Sequence, residues 1–256
     1  MNFKDYLNPK VLNNWPQISN SYQNAKPFNH VVIDNFLKED LAKELAESFP
    51  HFSSDFWYEY NNPIEKKLAS DDIRKFPPLF AKVIHSLNSE SFLQKVEELT
   101  GIKQLFSDPY LHGGGLHCYK RGGKLDIHLD YSIHPKLKLE RRINLILYMT
   151  PNWQEEWGGA FEMWNNDMSQ CEQKVLPKFN RVAIFNTDDH SFHGHPDPLT
   201  CPQDKSRNSI ALYYLTEPRE NASPRPRARF FKRPQDPDDL ELEEFRKKRS
   251  EVSGVY

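Results

Sequence analysis

The chain has 256 residues, with 34 Lys and Arg against 36 Asp and Glu and a formal net charge of −2. That length can bury a sizeable core and fits one domain with extensions, and the charge balance leaves no global field to draw nucleic acid or an anionic membrane. No stretch approaches the roughly 18 apolar residues of a membrane span, and Met1–Tyr6 lacks the apolar core of a signal peptide. Cys118, Cys171 and Cys201 are an odd number without CxxC spacing. They argue against a disulfide framework or a zinc knuckle and suit a reducing compartment, so a cytoplasmic monomer or homodimer is expected.

Residues 1–27 are polar with little periodicity, and His30–Leu37 reads as a short strand ending in a turn. In the next stretch Leu37, Leu41, Leu45 and Phe49 share one helical face until Pro50 stops the pattern. A second helical region runs from Ile73 to Leu99, broken by Pro77-Pro78 and ended near Gly101. These segments form an N-terminal support over residues 1–100. From Gly101 the texture changes to short β-rich runs divided by Gly, Pro, Asn and Asp. Candidate strands are Gly115–Tyr119, Asp126–Leu129, Ile143–Met149, Ala160–Trp164, Lys174–Leu176, Arg181–Phe185 and Ile210–Leu215. Many short strands with turns between them predict a jelly-roll core over 101–217, so the fold class is mainly β with flanking helices. Residues 218–256 read as a Pro/Arg-rich arm followed by a short terminal helix around Asp238–Arg249, acidic at its start and basic at its end as the helix dipole favours.

Within the β-rich region, His128 and Asp130 stand at i and i+2 of a strand, which turns both side chains to one face and Leu129 to the other. A third ligand far along the chain would complete the two-histidine, one-carboxylate facial triad that holds non-haem Fe(II) and leaves coordination positions open. His190, His193 and His195 crowd that later segment. His193, standing between one strand and the next, is the favoured ligand and His195 the alternative. Arg207 and Ser209 begin the apolar run Ile210–Leu215, and a charge placed there needs a partner; together they suit a clamp for a dicarboxylate. The basic glycine-rich loop Lys120–Lys124 lacks the ending of a phosphate-binding loop and reads as a hairpin-like turn at the rim. Tyr131, Trp153, Trp157 and Trp164 fall in the same region, as groove walls or as core.

In order and spacing, Tyr119, His128-x-Asp130, Arg142-x-Asn144 with Leu145–Met149, Trp157–Glu162, His193 and Arg207-x-Ser209 resemble the Fe(II)- and 2-oxoglutarate-dependent dioxygenases, in their prolyl-hydroxylase-like branch. Phe28–Leu37 also resembles the segment that precedes that domain. The resemblance covers Leu116 to Thr216 and implies a double-stranded β-helix, cupin-like in layout, with His128, Asp130 and His193 as catalytic metal ligands. It implies that Arg207 pairs with the distal carboxylate of 2-oxoglutarate, that Tyr119 and Tyr148 hydrogen-bond this co-substrate, and that Ser209 assists. Fe(II), 2-oxoglutarate and O2 are the implied requirements, with ascorbate an optional extra. Two departures stand out: Arg207 follows His193 at an unusually long interval, which implies an inserted loop at Asp197–Pro202, and Asn144 replaces a common threonine.

The expected activity is therefore hydroxylation of an unactivated C–H bond in a protein side chain of prolyl kind or in a small molecule, with release of succinate and CO2. Asp130 makes hydroxylation the default outcome, because halogenating relatives carry a small residue there. The alternatives are a cupin-type metalloenzyme that does not use 2-oxoglutarate and a non-catalytic β-sandwich binding module.

Overall fold

Two periodicities organise the structure, a computed structural model that describes residues 2–251. The first is the strand period of two. In the strand Glu140–Tyr148 (β7), Ile143, Leu145 and Leu147 join the main apolar core, while Asn144, Ile146 and Tyr148 face inward. The strand Ser206–Thr216 (β12) pairs antiparallel with it, Ser209 opposite Tyr148 and Tyr213 opposite Asn144. By the same alternation Ile210, Leu212 and Tyr214 enter the core and Arg207, Ser209, Ala211 and Tyr213 line an internal cavity. The inward-facing Asn144, Arg207, Ser209 and Tyr213 follow from this register, since a one-residue slip would send them into the core.

The remaining strands are His30–Ile33 (β1), Tyr58–Asn62 (β2), Glu65–Ser70 (β3), Phe106–Ser107 (β4), Gly115–Lys120 (β5) and Lys124–Leu129 (β6). They are followed by Phe161–Trp164 (β8), Cys171–Val175 (β9), Val182–Asn186 (β10), His193–His195 (β11) and Arg229–Phe230 (β13). Ten of the thirteen described strands, β7 and β12 included, follow one hydrogen-bonded path, β1-β10-β7-β12-β5-β3-β6-β11-β8-β9, with β2, β4 and β13 attached at its sides. This nearly closed antiparallel arrangement is the expected jelly roll, a double-stranded β-helix whose strands wrap one cavity.

The second periodicity is helical. Pro9–Asn13 (α1), Trp15–Asn24 (α2), Glu39–Glu47 (α3), Pro78–Leu87 (α4) and Glu90–Thr100 (α5) bury one face each. Their apolar residues, among them Trp15, Leu45, Phe80, Val83, Phe92 and Val96, share a single core with β7, β10 and β12. Each such side chain contributes about 1.5–3 kcal/mol on burial. Ser89 accepts from the Phe92 backbone N–H at the start of α5, and Gly101 closes the helix at φ +76°. Those two caps set where α5 begins and ends.

Four expectations change. Residues 1–27 carry α1 and α2, because Val11, Trp15, Ile18 and Tyr22 are buried at helical spacing among Asn, Gln and Ser that dilute the pattern. The Ile73–Leu99 region is two helices: Pro78 opens α4, and the chain turns at Asn88-Ser89 before α5. The hairpin of β2 and β3 was not foreseen, since its Glu, Lys and Asn content hides its alternation. Finally, Lys120–Lys124 does not close a hairpin. β3 stands between β5 and β6, pairing with both, so the loop rounds a corner of the barrel.

The arm wraps back onto the sheet. Ser132 donates its backbone N–H to the Arg225 carbonyl, and its hydroxyl accepts from the Arg225 N–H. β13 then pairs with β6, Phe230 opposite His128. The terminal helix Leu240–Ser250 (α6), capped by Asp239, is anchored by Arg246, which donates to Asp126 Oδ2 at 2.9 Å.

Candidate functional site

His128 and Asp130 lie at the end of β6, and β11 runs antiparallel beside it with His193 directly opposite His128. That single cross-strand pairing brings together three residues distant in sequence. Their candidate ligand atoms all fall within 4.8 Å of one another, and all three residues are buried. His128 Nε2 is 3.5 Å and His193 Nε2 3.4 Å from the Asp130 carboxylate oxygens. Leu129, on the opposite face, packs with Ile127, Trp164 and Phe192 as the strand pattern requires.

Each imidazole is oriented by the backbone. His128 Nδ1 lies 2.9 Å from the Asp126 carbonyl and His193 Nδ1 2.7 Å from the Ser191 carbonyl. A carbonyl only accepts, so Nδ1 carries the proton on both rings and Nε2 presents its lone pair to the shared centre. Burial pushes His193 down to about 3, which keeps the ring neutral. Phe161 and Phe185 flank His193, and Phe230 packs against His128.

Asp130 is held by residues the motif did not single out. Asn144 Nδ2 donates to its Oδ2 at 2.8 Å, the Arg141 guanidinium approaches the same oxygen at 3.1 Å, and Arg141 Nε donates to Asn144 Oδ1 at 2.7 Å. Burial alone would raise the carboxyl, but Arg141, His193 and His128 together hold it well below the usual carboxylate range. Arg141 is stacked between rings, 3.3 Å from the Tyr213 centroid and 4.8 Å from that of Tyr131. The departure at Asn144 thereby has a structural role: the residue holds the Asp130 carboxylate of the candidate triad through the Asn144–Asp130 bond. Asn144→Ala is expected to weaken metal binding about tenfold, the scale of losing one outer hydrogen bond to a ligand, as read by metal titration.

Arg207 projects into the same cavity from β12. It is buried, 3.4 Å from the Tyr148 hydroxyl, with its guanidinium carbon 4.8 Å from the Tyr148 ring and 5.3 Å from the Tyr119 ring. Burial raises both tyrosines, so each keeps a phenolic proton to donate. Ser209 sits on the same face and lines the cavity with Arg207 and Tyr119. The structure thus gathers His128, Asp130, His193, Arg207, Tyr119 and Ser209 around one cavity of about 560 Å³, with Tyr148 behind Arg207. Sequence reasoning passed over Lys67, Arg141, His117 and the arm's Phe230, which line it too. The signal for Arg141 was a charge inside an apolar strand; Lys67 gave none.

A close approach fixes the shape of the Arg207 corner. Gly159 has φ +74°, and a Cβ there would stand 2.6 Å from Leu199 Cδ2 and 2.9 Å from Arg207 Cδ. Gly159→Ala is expected to cost roughly 1–2 kcal/mol for the left-handed backbone. It would also displace the guanidinium, so a fall in melting temperature should accompany a several-fold rise in the KM of any carboxylate co-substrate. The inserted segment Asp197–Pro202 closes this corner from outside. Leu199 exchanges backbone hydrogen bonds with Gly122 and Gly123, and Arg121 donates to the Thr200 and Cys201 carbonyls. The basic loop is therefore a clasp for the insertion. Trp153 and Trp157 pack edge-to-face beside Leu199 and Cys201, and Trp164 is core; of the four aromatics only Tyr131 lines the cavity.

The donor set suits Fe(II), with two neutral imidazoles and one carboxylate. The fit to a dicarboxylate rests on buried polar atoms that lack a partner inside the protein, Arg207 Nε among them. Comparison with known proteins agrees. Residues 114–215 match the 2OG-Fe(II) oxygenase superfamily. Prolyl 3-hydroxylase OGFOD1 of Mus musculus is 29% identical over 208 residues, 75% of this chain and 34% of that protein. The chain spans about a third of the length of the curated relatives it matches. A prolyl hydroxylase from Trichoplax adhaerens, solved with a hypoxia inducible factor peptide fragment, superposes with a TM-score of 0.57 at 19% identity, covering 81% of this chain and 93% of that one. A prolyl-4-hydroxylase from Pseudomonas putida gives 0.53 at 15% identity, covering 78% and 100%. With its jelly roll and its buried His128, Asp130 and His193 in one register, the chain carries a region, residues 114–215, similar to the 2OG-Fe(II) oxygenase superfamily, and its fold is prolyl-hydroxylase-like.

Proposed function

We propose that the protein is an Fe(II)- and 2-oxoglutarate-dependent hydroxylase acting on a protein side chain, prolyl in kind. The observation that carries this reading is the convergence of the His128, Asp130 and His193 ligand atoms with the Arg207 guanidinium in one buried cavity. A binding module has no need of a carboxylate grip beside three metal-competent donors. When bound, Fe(II), 2-oxoglutarate and O2 supply the oxidising power that places one oxygen atom on an unactivated carbon, with succinate and CO2 released.

The chain's own residues do the rest. The two Nε2 lone pairs and the Asp130 carboxylate hold one face of the metal and leave the other face to ligands. Arg207 binds a carboxylate, Tyr148 and Tyr119 donate phenolic protons to it, and Ser209 adds a hydroxyl. Phe161, Phe185 and Phe230 keep water from the ligand rings. A cupin-type metal site is disfavoured, because such sites place more histidines in the first motif. The relatives favour a protein substrate: OGFOD1 is a prolyl 3-hydroxylase, and the Trichoplax enzyme was solved with a peptide. The cysteines are all unpaired, which supports a reducing, cytoplasmic setting. Among the described residues no helix is long and apolar enough to cross a membrane.

Succinate release tests the reading. Protein supplied with Fe(II), 2-oxoglutarate and O2 should form succinate, faster with cell extract or prolyl peptides, and mass spectrometry should find oxygen-bearing peptides absent with His128→Ala. No succinate above the His128→Ala background would sink it.

A further inference from the structure

Strand β11 aims two imidazoles into the cavity, and the triad uses one. His195 follows His193 by two residues, so it shares the inward face of the strand. It is only 4% exposed, yet neither of its ring nitrogens has a hydrogen-bond partner in the protein. An imidazole always carries at least one N–H, and buried polar groups left unanswered are rare enough to need an explanation.

Tyr119 locates the unanswered ring. His195 stands edge-to-face on it, centroids 4.4 Å apart, while the Arg207 guanidinium carbon lies 5.3 Å from the same ring. Arg207 and Tyr119 are cross-strand partners on β12 and β5, and Arg207 Nε likewise has no partner. Two unanswered polar groups from two strands thus both lie against one tyrosine. The charges acting on His195 include the cations Arg207 and Lys67. An imidazole that shares its tyrosine with a guanidinium is a poor site for a metal and a good one for a carboxylate. In keeping with this, the metal-competent cluster contains His193 and not His195.

We propose that His195 is a second anchor for the co-substrate, its ring N–H donating to the same carboxylate that Arg207 grips. This rests on the 2-oxoglutarate reading above. Sequence reasoning had considered His195 only as an alternative metal ligand, and the structure gives it a different partner in the same cavity. A ring that donates one hydrogen bond here discriminates a dicarboxylate from a 2-oxo acid with no second carboxylate.

The test uses the full chain loaded with Mn(II), which suits the same oxygen and nitrogen donors. Calorimetry would compare 2-oxoglutarate with 2-oxobutyrate on wild type, His195→Leu and His195→Gln. We expect His195→Leu to bind 2-oxoglutarate about tenfold or more weakly, to bind 2-oxobutyrate as wild type does, and to keep Mn(II) affinity within about twofold. The ligand-free melting temperature should hold or rise, since leucine removes two unanswered polar atoms, and His195→Gln should recover part of the affinity. Should the leucine variant fold poorly, His195→Met carries the same comparison. Wild-type 2-oxoglutarate affinity in the folded variant would overturn the proposal and leave the co-substrate reading intact. Loss of Mn(II) affinity would also overturn it, by assigning His195 to the metal. If wild type loaded with Mn(II) fails to bind 2-oxoglutarate, the reading and the proposal fall together.

Discussion

Replacing Asp130 with alanine is expected to weaken metal binding by about 100-fold or more and to bring succinate release to background. Loss of outer-shell partners alone costs about 10–100-fold at such centres, and this change removes the only carboxylate of the cluster. It also strands a charge. Arg141 is buried and its guanidinium meets Asp130 Oδ2 at 3.1 Å, so the variant leaves a buried cation without its carboxylate. Such half-removed pairs cost roughly 3–5 kcal/mol, and the melting temperature should fall accordingly. Asp130→Asn separates the two effects, since the amide keeps the shape and one oxygen for Asn144 while giving up the charge. Metal titration and thermal melts read both quantities. Asp130→Ala protein that binds metal within a few-fold of wild type and still forms succinate would refute the triad.

Arg207→Leu should raise the KM for 2-oxoglutarate by about 100-fold, with metal affinity unchanged. A buried, hydrogen-bonded charge pair that loses one member gives up about 2–5 kcal/mol, which is 30-fold to several thousandfold in binding. Arg207 lies buried against the rings of Tyr119 and Tyr148, so its loss leaves that corner without the guanidinium both rings face. Arg207→Lys tests the geometry. An ammonium restores charge but neither the planar fork nor the stacking, so its KM should fall between wild type and the leucine variant. Equal KM values for all three proteins would remove Arg207 from the co-substrate site.

Both residues were visible in the sequence for the same reason. His128-x-Asp130 is a period-two pair, and Arg207-x-Ser209 opens an apolar run, so alternation alone aims them at one face. Alternation also announced β7 and β12, whose Ile and Leu positions could only be core. What stayed hidden lacked that contrast. β3 reads Glu-Lys-Lys-Leu-Ala-Ser, yet half-buried Lys67 pairs with buried Glu65 at 2.8 Å, a pairing no local pattern announces. Trp15, Ile18 and Tyr22 keep helical spacing but sit among polar residues that blur it. The role of Asn144 is tertiary, since it depends on β7 passing next to the end of β6. His195 was legible as a histidine on the inward face, but strand parity gives the face and not the depth.

The arm ties two processes into one equilibrium. Arg225 donates its Nε to the backbone carbonyl of Asp130 at 3.0 Å, and the next residues of the arm run to Phe230 against His128. Whatever steadies Asp130 and His128 therefore steadies residues 225–230, and whatever peels that segment away loosens two of the three candidate metal donors. By mass action a bound metal stabilises the seated arm by the same free energy with which the seated arm tightens the metal. Protease nicking after Arg227 or Arg229 becomes a gauge of metal loading, readable without knowing the substrate at all.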